Sequence, residues 1–499
     1  MEPELSTQTT LRPAQILAFR LGVSYHPPDS PSLPGTLAFE TIRGEAGVDF
    51  IGTDGVDALF ALNEPGTKFI DAKAGNDNVD LFDESGVVGT AEVKLGEGND
   101  TFTMGVNSTI TNRLSNSTVN GGPGNDNIAT EGAVSTKLRG NEDDDDFYLQ
   151  SNYTSTTLNG NSGNDSFTIG FSDAARGGNI TLSDSKILGG SDADGQMDFT
   201  DGAILGVDSV IQGGKGGDTI QIGDISAGSS GFRVTGGADN DSITVSNTIN
   251  SDLSTSYNGA DGRDIITFTG ANAADAVTKG GAGDDRFVIS GSGEILALGE
   301  DGDDYFTIDA FTTADHTLNG AAGADVYEMF SGQAVIYQIP SVSDSAATLS
   351  GTSVGFDTFL TAIDNSTFGD MIDITGGAAE ELVGNRLTVG DEVSGAFGTQ
   401  AAVDVFSFDG LVNALDGALT PSVPEVGATN RGQISFDIVE VADTTGSATN
   451  IDGYYLVINN TNAILDSGDM MFQLASTTLV GATAEAGEIE LAIEAAFAA

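Results

Sequence analysis

The sequence predicts an all-β protein. It reads as a parallel β-solenoid, β-roll-like, of about 21 residues per coil, followed by a C-terminal β-rich domain. Three observations predict it. A glycine–aspartate turn recurs along the chain at near-constant spacing. Each turn leads into residues that alternate apolar and polar, the period-two pattern of a half-buried strand. A second short apolar element precedes the next glycine pair, so each period holds two strands and two turns.

The stretch NGNSGNDSFTIG at 159–170 shows the unit: Gly160 and Gly163 shape the turn, Asp165 follows, and Phe167 and Ile169 alternate with polar neighbours. The same turn places an aspartate at Asp57 (GTDGVDALFAL), Asp77, Asp100, Asp126, Asp145, Asp165, Asp218, Asp241, Asp264, Asp285, Asp304 and Asp325. The spacings are 20, 23, 26, 19, 20, 53, 23, 23, 21, 19 and 21 residues, and the 53 contains a worn copy with Asp194 in register. The second element appears as NSTVNG, VSTKLRG, TSTTLNG and DHTLNG, with Val119, Leu138, Leu158 and Leu318 two residues before a glycine. One such coil buries only a few side chains, whereas stacked coils bury a continuous strip of Phe, Ile, Leu and Val. About 13 coils at about 4.8 Å each make a stack of roughly 60 Å. Propeller blades repeat at about 40 residues and fit poorly, and a stacked β-sandwich has no need of a fixed aspartate. The expected organisation is an N-terminal arm or cap (1–43), the solenoid (44–335) and the C-terminal β-rich domain with an acidic tail (336–499).

Composition narrows the function. The 499 residues carry 74 acidic against 18 basic side chains, a formal charge of −56. Such a polyanion is repelled by nucleic-acid phosphates, so the expected partners are cations and not nucleic acid. Cysteine is absent and only two histidines are present, His26 and His316, which removes disulfides, thiolate catalysis and most zinc sites. Hydrophobic residues make up 39% of the chain, a folding composition. No run of about eighteen apolar residues occurs, so no membrane span is expected. The first residues lack the basic-then-apolar order of a signal peptide, and with Met1 present the expectation is export without a removable N-terminal signal.

Stacking turns the aspartates into a ladder of carboxylates about 5 Å apart, where like charges cost roughly 1 kcal/mol per neighbour in water and more where solvent is restricted. Turn glycines adopt positive φ and expose backbone carbonyls. Carboxylates beside carbonyls suit Ca²⁺, which takes about six to eight oxygen ligands, better than Mg²⁺, which resists dehydration. The candidate calcium ligands are Asp77, Asp100, Asp126, Asp145, Asp165, Asp218, Asp241, Asp264, Asp285, Asp304 and Asp325. Ten divalent ions would cancel about twenty of the negative charges. The alternative is that the Asp hydrogen bonds local backbone and only shapes the turn.

GGKGGDTIQI and GGAGDDRFVI resemble the glycine-aspartate nonapeptide of the repeats-in-toxin (haemolysin-type) proteins. The resemblance covers about 50–330. It implies a β-roll with Ca²⁺ between like-sided loops of successive coils, as found in surface-layer and other secreted bacterial proteins. The family pattern runs every nine residues with two loops per coil. Here one loop per coil carries it and the other turn is polar, so a calcium ladder would follow one edge. Arg263 beside Asp264 and Asp143 in place of a glycine depart from the pattern, and the loose Asp57 copy reads as an end cap.

The flanks differ. TLRPAQILAFRLGV predicts a short helix, and Pro27, Pro28, Pro31 and Pro34 an extended arm. After residue 340, strand-like runs such as TFLTAI, QISFDIVEV, GYYLVI and MMFQLA predict an antiparallel domain or a β-rich cap. The end, AEAGEIELAIEAAFAA, is either a terminal element or, as in repeats-in-toxin proteins, an uncleaved export signal. No H-E-x-x-H, no G-x-S-x-G with a histidine partner and no phosphate-loop lysine motif occurs, so no enzyme activity is expected. The expected function is that of a non-catalytic, calcium-stabilised extracellular structural protein, a self-assembling surface-layer or cell-surface coat subunit. It would form a homo-oligomer or lattice and contact cell-surface polysaccharide or other coat proteins. The alternative is a phage virion component, a fibre or capsid-decorating protein. An adhesin or a carbohydrate-active enzyme comes third.

Overall fold

The computed structural model describes residues 50–62, 68–82, 90–104, 114–169, 179–246, 255–269, 276–290, 293–309, 316–330 and 335–338, with shorter stretches between 349 and 474. The N-terminal arm and the acidic tail lie outside the described residues. Among the described residues all regular structure is β-strand.

Two sheets run side by side along the chain, each built from one strand per coil. The first contains fifteen strands, from Phe50–Ile51 to Met371–Asp373, and each pairs in parallel with the equivalent strand of the coils before and after. In register, Val119 lies beside Leu138, Leu138 beside Leu158, and Leu158 beside Ile187. The second sheet contains the strands that follow the aspartates, with Phe147 beside Phe167 and Phe287 beside Phe306. This is the predicted parallel β-solenoid.

The alternation seen in the sequence is the alternation of burial. In the strand Ser166–Ile169, Phe167 and Ile169 are buried and Ser166 and Thr168 half-buried. Inward residues of both sheets merge into one hydrophobic core running from Phe50 to Phe472. Aromatic rings at one register stack on each other: Phe147 and Phe167 are 4.6 Å apart and 6° from parallel, and Phe287, Phe306, Tyr327 and Phe359 form a second column. Phe167→Ala is expected to cost about 3–5 kcal/mol by denaturant unfolding, whereas Ser166→Ala on the outer face should stay within about 0.5 kcal/mol.

Pairing runs on past residue 335. Asp357–Phe359 pairs in parallel with Met470–Leu474, which joins Gly453–Asn459 and Ser435–Ala442 in an antiparallel meander. The sequence runs TFLTAI, QISFDIVEV, GYYLVI and MMFQLA all supply residues to these strands. Met470 and Phe472 complete the apolar core, and the meander occupies the strand edge that the second sheet would otherwise leave open.

Candidate metal ladder

The glycine-aspartate corner joins the first sheet to the second in each coil. Its backbone demands fix the glycine pattern. Two positions per turn have positive φ: in the Asp285 coil these are Gly281 at 121° and Gly283 at 126°. Where glycine is replaced, the conformation persists, as in Asn161 at 79° and Asp143 at 71°.

The first glycine of each turn has another reason. A β-carbon on Gly160 would overlap Asp165 Oδ2 and stand 2.6 Å from the carbonyl oxygen of Gly189 in the next coil. Gly121, Gly140, Gly189, Gly213, Gly236, Gly259, Gly280 and Gly299 stand in the same relation to the aspartate of their own coil. The missing side chain is the space in which the carboxylate sits. Gly52 holds this position in the Asp57 coil, Ala72 and Leu95 occupy it in the Asp77 and Asp100 coils, and from Asp126 to Asp325 it is glycine in every coil.

The carboxylates therefore point inward, beneath the turn, and are not displayed along an outer edge. Asp165 and Asp194 are 0% exposed, and the others from Asp57 to Asp357 are at most 3% exposed. They are joined in series. The backbone N–H of Asp145 donates to Asp165 Oδ1 at 2.9 Å, that of Asp165 to Asp194 Oδ1 at 2.9 Å, and that of Asp194 to Asp218 Oδ1 at 2.7 Å. The same bond links every rung from Asp57 to Asp357. All the sequence-predicted ligands lie on this one line. Asp194 belongs to it as a full rung. Asp357 is a further rung that the sequence did not disclose, because it stands 32 residues beyond Asp325 and lacks the glycine pair.

A second line runs outside the first. Asn76 Oδ1 accepts the N–H of Asn99, Asn99 Oδ1 that of Asn125, Asn240 Oδ1 that of Arg263, and Asp284 Oδ1 that of Asp303, at 2.8–3.2 Å. Here the side chain serves the following coil, whereas each inner Asp serves the preceding one. The residue just before each aspartate, often Asn or Asp, was the signal for it. Arg263 is exposed on this outer line while Asp264 is buried, so its side chain stands on the opposite side of the turn from the carboxylate it was expected to disturb.

The other corner of the coil supplies an internal comparison. There the buried ladder is built of hydroxyls. Ser117 Oγ accepts the N–H of Ala91 at 3.0 Å and Ser185 Oγ that of Thr156 at 3.2 Å, as Ser209 Oγ accepts that of Ser185 at 3.0 Å. Each hydroxyl then donates its own proton to a carbonyl two residues back, Ser185 to Ser183 at 2.9 Å and Ser209 to Val207 at 2.8 Å. Accepting an N–H from the neighbouring coil therefore needs only Ser or Thr. The carboxylates do the same work with Oδ1 and leave Oδ2 over: the Oδ2 atoms of Asp77, Asp100, Asp126, Asp145, Asp165, Asp194, Asp218, Asp241, Asp264, Asp285 and Asp304 are buried with no hydrogen-bond partner. An orphaned buried carboxylate oxygen is costly unless a proton or a cation meets it.

Burial raises the pKa values of these acids most strongly. The N–H of the preceding rung opposes the shift, and neighbouring carboxylates add to it. Asp77 and Asp218 are pushed up to about 6, Asp165 and Asp285 to about 7, Asp145 and Asp241 to about 8 and Asp304 to about 9. Asp100 and Asp264 shift in the same direction.

The residues fit a hard cation of the calcium kind. Among the described residues no three His, Asp or Glu side chains gather at one point, so each rung brings one carboxylate and backbone carbonyls must complete any ligand set. Such carbonyls are at hand: the Gly189 oxygen and Asp165 Oδ2 flank the same glycine carbon, as do the Gly160 oxygen and Asp145 Oδ2. Asp165→Asn should keep the Oδ1 acceptor and remove the charge, and Asp165→Ala should remove both. The expected result is that Asn matches wild type in metal-free buffer or exceeds it, and falls below it in calcium, while Ala is destabilised in both.

No family model matches the chain, and none of the curated proteins compared matches it. The resemblance to repeats-in-toxin proteins thus stands on the loop residues alone. One solved structure overlaps it, a hyperactive, Ca²⁺-dependent, β-helical antifreeze protein from an Antarctic bacterium. That chain is 18% identical at a TM-score of 0.36, with 62% of this chain and 87% of that one covered.

Proposed function

We propose that this is a non-catalytic structural protein whose solenoid is stabilised by Ca²⁺ held along the inner aspartate ladder, and that it works outside the cell as a self-assembling coat subunit. The observation that carries the calcium reading is the contrast between the two corners: neutral hydroxyls suffice at one, and acids with an oxygen to spare are used at the other. Asp77, Asp100, Asp126, Asp145, Asp165, Asp194, Asp218, Asp241, Asp264, Asp285 and Asp304 would supply the carboxylates, and the turn carbonyls the remaining oxygens. Bound metal would supply positive charge to a chain of formal charge −56 and stabilise the folded state by mass action. Where free Ca²⁺ is scarce the ladder repels itself, and where it is abundant the coils close. The extracellular location follows from that logic, and the coat role from a long regular stack with a large acidic surface.

Equilibrium dialysis should find several Ca²⁺ per chain and a strong preference over Mg²⁺. Light scattering and electron microscopy should then show ordered assemblies in calcium that disperse in chelator. Binding without assembly would leave a calcium-stabilised monomer and remove the coat reading. Recovery of the protein with virus particles in place of cell envelopes would favour the virion alternative.

A further inference from the structure

The outer face of the first sheet departs from the acidity of the chain. Its outward positions are the two that flank each inward residue, as Lys137 and Arg139 flank Leu138. From the Val119 strand to the Tyr337 strand, none of these flanking positions holds Asp or Glu, although the chain has 74 acidic residues. The second sheet, by contrast, shows Asp146, Asp198 and Glu328 on its outer face. The acid-free positions gather bases instead: Lys137, Arg139, Lys186, Arg233 and Lys279. Solubility does not ask for them, because a formal charge of −56 already supplies it.

These bases stand on alternate coils. The Leu158, Ile211 and Tyr257 strands, which lie between them, present Thr, Asn, Val, Gln and Ser. Two coils span about 10 Å, roughly one Debye length, so successive bases repel one another little. Lys279 reaches Glu300 in the turn of the next coil at 2.5 Å. Lys137, Arg139, Lys186 and Arg233 form no ion pair with any described residue, and Lys137, Lys186 and Arg233 are exposed. The complementary surface is on the same chain. The glycine-aspartate turns expose Asp143, Asp144, Asp192, Asp239, Asp284 and Asp303 along one edge. Each strand of the first sheet runs straight into this turn, so face and edge adjoin at a corner and cannot lie against each other within one chain.

We propose that the basic outer face of the first sheet docks the acidic turn edge of a second copy of this chain, laid lengthwise along it. The proposal rests on the coat reading above and names its contact. Face and edge both repeat once per coil, so two stacks can stay in step along their length. Complementary charge fixes which surface meets which. The two surfaces are different, so every copy that docks by its edge still offers its own face. Such a heterologous contact adds copies without limit unless its rotation closes a ring. The contact is exposed and ionic, so salt screens it, whereas the buried ladder is screened much less.

The test follows assembly of the full-length chain in calcium by sedimentation. It compares wild type with a quadruple variant, Lys137→Gln, Arg139→Gln, Lys186→Gln and Arg233→Gln. Arg286→Gln, which removes an exposed base from the second sheet, is the control. The quadruple variant should need a concentration at least about tenfold higher to assemble, since four exposed ion pairs are lost. The control should assemble as wild type does. Calcium count and melting temperature should hold in both, because exposed substitutions cost little. Carbodiimide coupling in a mixture of isotope-labelled and unlabelled chains should join Lys137 or Lys186 to a turn acid of the other chain. A quadruple variant that assembles like wild type, or couplings that leave out both lysines, overturns the docking face and leaves the coat reading intact. Wild type that binds calcium and stays single overturns both. If those single chains bind dextran sulfate and the quadruple variant does not, the face belongs to an anionic polysaccharide, and the second copy is overturned as its partner.

Discussion

Stripped of metal by dialysis at neutral pH, the protein is expected to melt at least about 10 °C below its melting temperature in millimolar calcium. A ligand at 1,000 times its dissociation constant stabilises by about 4 kcal/mol per independent site, and one kcal/mol moves the melting temperature by about 2–4 °C for a domain of 150–250 residues. Several coupled sites should exceed this minimum. The pH dependence of the metal-free protein carries the sharper signature. In the folded chain burial pushes Asp77 up to about 6, Asp145 to about 8 and Asp304 to about 9, against an ordinary value of 3.8. Folding thus favours their neutral form. The stability this confers is fully present below the ordinary carboxylate pKa and is lost as the pH rises through the raised values. Metal-free protein should therefore become more stable between pH 9 and pH 5, because protons do what the cation otherwise does. In calcium the trend should flatten or invert, since protons then compete with the metal. Scanning fluorimetry over this range, with and without calcium, decides it. Parallel curves in the two conditions would remove the metal from the ladder.

Gly160→Ala should be strongly damaging for a change of one methyl group. At this glycine the backbone is ordinary and φ does not forbid alanine, so the penalty comes from space alone. The added carbon claims the place of Asp165 Oδ2 and crowds the Gly189 carbonyl. Either the carboxylate or the next coil must move, and overpacking of a filled interior costs about 1–3 kcal/mol before any ligand is lost. The variant should bind fewer calcium ions and lose more stability in calcium than in chelator. Gly55→Ala is the control, since its β-carbon would meet only Thr53 Oγ1, at 3.7 Å. Equal effects at the two sites, or an effect at Gly160 that ignores calcium, would mean that the cradle serves packing and nothing else.

Much of this architecture could be read in the residues. The spacing of Asp77 to Asp325 fixes the coil, and the alternation after each aspartate, as in Phe167 and Ile169, fixes which side chains fill the core. The inward direction of the carboxylates could not be read so directly. Gly160 looks like any flexible turn residue until its neighbour is seen to need its empty side. The hydroxyl ladder left a trace in NSTV, VSTKL and TSTTL, where a Ser or Thr always stands two residues before the inward Val119, Leu138 or Leu158. That trace is hard to weigh in a chain so rich in serine and threonine. Asp357 was beyond reach because its membership depends on pairing across an irregular stretch, not on a motif.

The one-way hydrogen bonds of the ladder make length a free variable. Each rung asks its successor for a single oxygen and asks nothing about how many rungs follow. Removing residues 242–264, one whole period of 23 residues, would bring the Asp241 N–H to Asp285 and leave both flanking coils as they are. Duplicating the same segment would lengthen the stack by one step. Such a protein can be fitted to a required span by recombination at its repeats, with no new side chain to invent.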